Sequence, residues 1–205
     1  MAKHIFIRGN SKLGKDVLIF NLPPGGKAQG GTCKPTAWCI LHCYAMKGLH
    51  NFPSVKAANA ERLAISLRAT FAQEAIDELK RTNKSFVRIH SSGDFYSEEY
   101  VNKWIQICKA CPEKKFLAYT KSRHLIEPLK KLARLPNMTL YESLDSTREK
   151  ASTPHLLRAM IEDSVLASEQ AAKKRTKVTM KCPGECGPCG HKCWDGDKHV
   201  VFHKH

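Results

Sequence analysis

The sequence predicts an α/β protein built on a parallel sheet, and three observations carry that prediction. First, between residues 86 and 141 short apolar runs and amphipathic runs take turns: 86–90, 115–119 and 138–141 read as strands, 98–110 and 125–134 as helices. Alternation of this kind with short loops implies right-handed βαβ units and parallel neighbours. Second, each of these strands runs out into polar residues: His90-Ser91-Ser92-Gly93-Asp94, Tyr119-Thr120-Lys121-Ser122 and Glu142-Ser143-Leu144-Asp145-Ser146. Ligands of parallel α/β folds gather at such carboxyl ends. Third, 205 residues are enough for one domain with a sizeable core, or one domain with an appendage.

The remaining elements follow in chain order. Residues 4–7 and 17–22 read as short strands separated by Gly9, Asn10 and Gly14, a hairpin-like start. Pro23-Pro24-Gly25-Gly26 ends the second strand, and a glycine-rich loop leads to Cys33. It fits no phosphate-loop pattern, but glycine there lets backbone amides approach an anion or a cluster sulfide. Residues 53–80 carry Leu63, Leu67, Phe71, Ala75 and Leu79 at helical spacing and predict one broken helix or two successive ones. Ser97 is placed to cap the helix that begins at residue 98, and Gly93 and Asp94 suit either capping or ligand contact. Residues 154–161 read as a helix, 165–166 as a strand, and the tail from residue 200 as a last short strand. The basic run Lys173-Lys174-Arg175 with Lys177 is the best sequence-local candidate for a phosphate contact, or else a solvated linker.

Cysteine spacing is the most informative chemical signal. Cys33, Cys39 and Cys43 are separated by five and three residues and can reach one metal centre. A structural tetrahedral ion wants a fourth ligand, whereas a cluster held by three thiolates leaves one iron open for substrate or cofactor. Cys182, Cys186, Cys189 and Cys193 follow as four cysteines within twelve residues, interspersed with glycine and proline. That packing suits a loop wrapped round a four-iron cubane better than a zinc ribbon, although zinc stays open. His191 stands too early for a zinc-knuckle ligand, and His203 and His205 in the tail are not read as ligands. Cys108 and Cys111 form a CxxC at a helix end before Pro112, with Cys108 sharing a face with Trp104, and read as structural.

Nine cysteines in tight groups argue against a disulfide framework and for metal in a reducing compartment, so the expected location is cytoplasmic. No run approaches 18 apolar residues, so no membrane association is expected. With 34 Lys and Arg against 19 Asp and Glu, the net charge of +15 points to a polyanionic partner or an anionic substrate, or simply to a solvated basic face.

The stretch from Cys43 to Gly48, the stretch from His90 to Phe95, and the cysteine-rich ending that closes on Cys193-Trp194 and Phe202-His203-Lys204-His205 together resemble the phage gene 88 protein family, which is radical-SAM-like. The resemblance runs from about residue 10 to residue 205. It implies a partial (βα) barrel over residues 1–175 and a cysteine-rich iron-sulfur module over 176–205 packed on it. By similarity to radical S-adenosylmethionine enzymes, Cys33, Cys39 and Cys43 hold three irons of a [4Fe-4S] cluster while S-adenosylmethionine chelates the fourth. The cofactor's amino, carboxylate and ribose groups are then expected near Ser91, Ser92, Gly93, Asp94, Tyr119, Lys121 and Glu142, and a low-potential electron donor is implied. The usual radical motif spaces its cysteines by three and two, with an aromatic residue before the last; here His42 precedes Cys43.

Three functions are compatible with these features. One is a radical-SAM-like enzyme with two four-iron clusters, acting on a nucleotide, nucleic acid or other anionic substrate. Another is a non-radical iron-sulfur enzyme whose open iron binds substrate directly. The last is a basic nucleic-acid-binding protein with structural metal.

Overall fold

The computed structural model describes residues 4–144, 156–162 and 179–203. A short antiparallel pair opens the chain: β1 (Ile7–Arg8) lies against β2 (Val17–Phe20), with Ile7 opposite Ile19. After a long loop come α1 (Ala37–His42), α2 (Pro53–Leu67) and α3 (Phe71–Lys80), so residues 53–80 form two helices. The expected alternation then appears as β3 (Phe86–Ile89), α4 (Glu98–Ala110), β4 (Lys115–Thr120), α5 (Ile126–Ala133) and β5 (Met138–Ser143). Ser97 accepts a hydrogen bond from Tyr100 N at 3.2 Å, which explains why α4 starts where it does.

Three further strands complete the sheet: β6 (Leu157–Ile161), β7 (Thr179–Lys181) and β8 (His199–Phe202). The order is β1-β2-β3-β4-β5-β6-β8-β7, one open eight-stranded sheet, parallel except for β1. Residues 157–161 correct the helix expected over 154–161. Leu-Arg-Ala-Met-Ile is too short for periodicity to separate helix from strand. Pairing decides it, because Ala159 bonds in register with Ser143 on one side and Val200 on the other. The strand expected at 165–166 and the basic run at 173–177 lie outside the described residues.

From β1 to β6 strand order follows chain order, and the helices from α2 to α5 pack on one face. Ile65, Phe71, Leu79, Trp104, Ile107, Leu129 and Leu132 join Leu18, Phe20, Val87, Ile89, Phe116, Ala118 and Leu140 in a single core. The pleat sends alternate residues to the opposite face, where Val17, Ile19, Leu117, Tyr141, Ala159 and Val200 meet Cys193 and Trp194. Residues 179–203 thus extend the sheet and also cover the face that the helices leave open. No helix among the described residues is long and apolar enough to cross a membrane.

His90 marks the end of β3. It takes a left-handed backbone (φ 64°), and its ring is buried against Phe95 (centroids 4.8 Å) with Nε2 2.8 Å from Tyr100 Oη. Burial, reinforced by Arg88, lowers its pKa from 6.5 to about 3. The unfolded chain therefore takes up this proton first, so the stability tied to neutral His90 is complete above about pH 6.5 and is lost as pH falls toward 3. Urea unfolding measured between pH 7 and 4 should show stability falling by up to ~1.4 kcal/mol per pH unit from this group. His90→Asn, which tolerates the left-handed backbone, should flatten that part of the profile.

Candidate functional site

The site is built where the polar ends of β2, β3 and β4 are tied together. Asn21 Oδ1 accepts from the amides of Ser91 (2.8 Å) and Ser92 (3.2 Å), and Ser92 Oγ donates to Leu22 O at 2.8 Å. The chain then folds back on itself: Thr32 N donates to Pro23 O at 3.1 Å and Cys33 N to Gly25 O at 2.9 Å. This turn needs glycine at position 31, where a Cβ would lie 2.1 Å from the carbonyl oxygens of both Pro24 and Gly25. Thr36 Oγ1 accepts from Cys39 N at 3.1 Å and starts α1, which carries Cys39 and leads to Cys43. Tyr44, next in the chain, donates its hydroxyl proton to Ser91 O.

Asp94 is the hub of this arrangement. Its Oδ1 accepts from Thr120 Oγ1 (2.6 Å) and Phe95 N (2.7 Å), and its Oδ2 accepts from Lys121 N (2.7 Å). Its own amide donates to Thr32 Oγ1 at 3.1 Å, one residue before Cys33. Burial raises the Asp94 pKa, and the bonds from Thr120, Lys121 and Phe95 oppose that shift. Gly93 allows the close approach. Its φ is +79°, and a Cβ there would meet Leu22 Cβ at 2.5 Å and Thr32 Oγ1 at 2.9 Å.

All nine cysteines are free thiols. Cys33, Cys39 and Cys43 are each half-buried at these strand ends. The Cys33 thiol is pushed up to about 12 by burial and then by Asp94; a backbone hydrogen bond from Gly25 opposes this, and Cys39 and Cys43 add to the rise. The triplet is therefore one electrostatic group. In the C-terminal module, Cys186 is raised to about 11 by burial and by Cys189, Cys193 and Cys182, with Arg88 opposing. Gly184 N donates to Cys182 Sγ at 3.4 Å, the kind of amide-to-sulfur bond that a thiolate site uses. Cys189 Sγ donates to Cys186 O at 3.3 Å. Among the described residues no group of three or more His, Cys, Asp or Glu side chains has closed into a geometry that holds a metal ion.

The strand-end residues expected to contact a cofactor divide into two sets. Ser92, Asp94 and Glu142 are 4%, 4% and 2% exposed, and their side chains bond Leu22, the ends of β3 and β4, and Arg123 respectively. Ser91 and Lys121 are only partly buried. Ser91 Oγ is shielded from solvent yet has no hydrogen-bond partner, and Lys121 Nζ donates to Ser143 Oγ at 2.7 Å. Tyr119 turns to the opposite face, stacked on Tyr141 (centroids 5.0 Å) and bonded to Cys193. Cys108 and Cys111 are buried in the helix-side core, where Asn137 Nδ2 bonds both of their carbonyls (2.9 and 3.0 Å). His191 stacks flat on Phe86, 4.3 Å between centroids.

Sequence reasoning missed Arg88. It sits mid-strand on the face covered by the C-terminal module, its guanidinium 4.0 Å from the centre of the Tyr119 ring and its Nε donating to His90 O at 3.2 Å. Its charge acts on Tyr44 beside the triplet and on Cys186 and Cys193 in the C-terminal module. The available signal was a lone cation inside Phe-Val-Arg-Ile, a run otherwise suited to a buried strand.

Fold and site together define a class: an α/β protein whose parallel strands follow chain order, with a thiol triplet after its first parallel strand and a four-thiol module closing the opposite face. The sequence profile described as Gene product 88 matches residues 4–201, and the chain belongs to that family. It is 30% identical to the Gene 88 protein of Mycobacterium phage D29, over 97% of this chain and 91% of that protein. It is 32% identical to the Gene 88 protein of Mycobacterium phage L5 over 69% of this chain; that match spans 62% of the L5 protein, less than two thirds of its length. No solved structure matches the chain.

Because Asp94 receives three donors while buried, Asp94→Ala strands the Thr120 hydroxyl and two amides. Urea unfolding should show a loss of about 3 kcal/mol or more, on the scale of hydrogen bonds to a buried charge. A loss below about 1 kcal/mol would mean that the strand ends are held by other contacts.

Proposed function

We propose that this chain is a radical-SAM-like iron-sulfur enzyme, a partial (βα) barrel acting on a nucleotide, nucleic acid or other anionic substrate. Cys33, Cys39 and Cys43 would hold a [4Fe-4S] cluster with one open iron, and Cys182, Cys186, Cys189 and Cys193 a second centre. The observation that carries this reading is position. The triplet stands at the carboxyl ends of parallel strands, one residue beyond the Thr32 that Asp94 anchors, where α/β enzymes keep their chemistry. Strand order that follows chain order, with the helices on one face, supports the barrel-type winding.

The donor set fits the group. Seven free thiols fall into two electrostatic groups, backbone bonds run to Cys33 and Cys182, and the shielded Ser91 Oγ has no partner within the chain. When bound at the open iron, S-adenosylmethionine supplies hydrogen-atom abstraction, chemistry that no side chain here provides. The chain's part is to position and shield. Gly31 and Gly93 let the loop lie against the strand ends, Asp94 fixes Thr32 and therefore Cys33, and Tyr44, anchored on Ser91 O, walls one side. Cys193 and Trp194 are packed under Tyr141 and Thr139, so the second centre is read as one that also staples the C-terminal strands, with either iron-sulfur or zinc.

A second reading rests on cysteine gaps of five and three in place of three and two. The cluster is kept and its open iron binds substrate directly.

Electron paramagnetic resonance on anaerobically purified, dithionite-reduced protein, with iron and zinc counted, separates the readings. A four-iron signal that shifts on adding S-adenosylmethionine, with 5′-deoxyadenosine produced, is the expected result. A signal indifferent to the cofactor promotes direct substrate binding. Zinc without iron removes both enzyme readings and leaves a basic nucleic-acid-binding protein. Cys39→Ser should abolish the cofactor-sensitive signal and leave the C-terminal metal in place; loss of both metals together with the fold would mark the triplet as structural.

A further inference from the structure

At the carboxyl end of β4 an open cleft of about 220 Å³ is lined by Lys34, Thr36, Lys121, Arg123 and His124. Two segments far apart in sequence meet there. Lys34 and Thr36 belong to the thiol loop directly after Cys33, and the other three follow β4. The lining carries two lysines, an arginine, a histidine and no carboxylate. β5 fixes two of the cations from behind: Lys121 Nζ donates to Ser143 Oγ (2.7 Å), and Arg123 Nε to Glu142 Oε1 (3.1 Å), with Glu142 itself 2% exposed. Asp94 adds a third restraint by accepting from Lys121 N. Partial burial and the Lys34 ammonium both depress the His124 pKa, as expected where cationic groups crowd together.

The cleft is smaller than the roughly 300–1,000 Å³ that encloses a whole organic ligand, so it suits a head group whose remainder extends outside it. Preorganised Lys and Arg side chains without an acid among them match the charge and the several acceptor oxygens of a phosphate. The neighbouring wall is the loop that carries Cys33.

We infer that this cleft is the phosphate subsite of the substrate, and that the substrate is a nucleotide-class phosphate ester lying with its phosphate among Lys34, Lys121 and Arg123 and its remainder toward the thiol triplet. The assignment deepens the reading of the strand ends as the substrate site and rests on it. Lys121 is thereby a substrate-binding residue, and Lys34 sets which substrates are held.

The test uses the full chain with its iron counted and its response to S-adenosylmethionine recorded on the same sample, and reads binding of AMP, adenosine and a 5′-phosphorylated trinucleotide by calorimetry. AMP should bind about tenfold or more tightly than adenosine, since charge-assisted bonds to phosphate are lost without it. The His124 ring, followed by NMR, should titrate at higher pH with AMP bound, because an anion offsets the neighbouring cations. Lys34→Glu, at an exposed position, should weaken AMP about tenfold or more, whereas Lys109→Glu, the same charge change at the exposed end of α4, should weaken it less than about twofold. Lys121→Met gives an independent variant should Lys34→Glu disturb the loop.

Tighter binding of the trinucleotide than of AMP assigns the phosphate to a nucleic-acid strand, and the reverse assigns it to a mononucleotide; both support the subsite. Equal binding of AMP and adenosine overturns it, and so does equal weakening by Lys34→Glu and Lys109→Glu, which would reduce the effect to the general field of a basic chain. Displacement of AMP by S-adenosylmethionine with the same His124 shift would give the cleft to the cofactor's carboxylate and also overturn it. AMP binding in iron-free protein keeps the subsite while the radical reading fails, and a cofactor-sensitive cluster without AMP binding does the opposite.

Discussion

The buried carboxylate of Asp94 is the constraint on which the rest of the strand-end architecture depends. Two of its bonds fix the end of β4 through Thr120 and Lys121, one closes its own loop through Phe95, and its amide reaches Thr32 in the thiol loop. A buried carboxylate is costly unless its lone pairs are filled, and here three short donors fill them. The same charge that holds the loop also opposes ionisation of the Cys33 thiol. Any cation or cluster brought to the triplet relieves that opposition. Geometry and electrostatics at the strand ends are thus set by one residue.

The second organising feature is the division of labour between the two faces of the sheet. Helices from α2 to α5 cover one face with an aromatic core centred on Phe20, Phe71, Tyr100 and Trp104, whose rings meet edge-on, tilted and stacked. The C-terminal module covers the other, with Trp194 and His191 against Phe86 and the backbone of residues 193–198 bonded to Thr139 and Tyr141. Arg88 emerges on this second face, stacks on Tyr119, and exerts its charge on Tyr44 and on Cys186 and Cys193. A guanidinium tolerates that position because its flat face packs on an aromatic ring while its edge still donates to a carbonyl. It is the physical link between the two thiol groups.

Membership of the Gene product 88 family joins these features to relatives from two mycobacteriophages. Their printed names carry no activity, so the chemistry must be argued from the residues. The basic balance of the chain becomes specific at the cleft beside Cys33, where Lys34, Lys121, Arg123 and His124 converge from two segments.

The sequence by itself determined the regular parts. Alternating apolar runs, the Ser97 cap and the proline and glycine stops led to β3, α4, β4, α5 and β5 within a few residues, because each of those signals is local. The grouping of the cysteines and the polar character of the strand ends were legible for the same reason. Tertiary structure decided what short segments became: residues 157–161 are a strand only because β5 and β8 flank them, and residues 179–181 join the sheet only because β8 offers an edge. It also decided the roles of residues that looked alike in the sequence. Asp94 and Glu142 read as ligand contacts but are consumed in holding strands and Arg123, while Arg88, Tyr44 and Lys34 acquire their meaning only from partners more than thirty residues away. Spacing along the chain records local backbone preference, whereas burial and pairing across it depend on distant residues that no local pattern encodes.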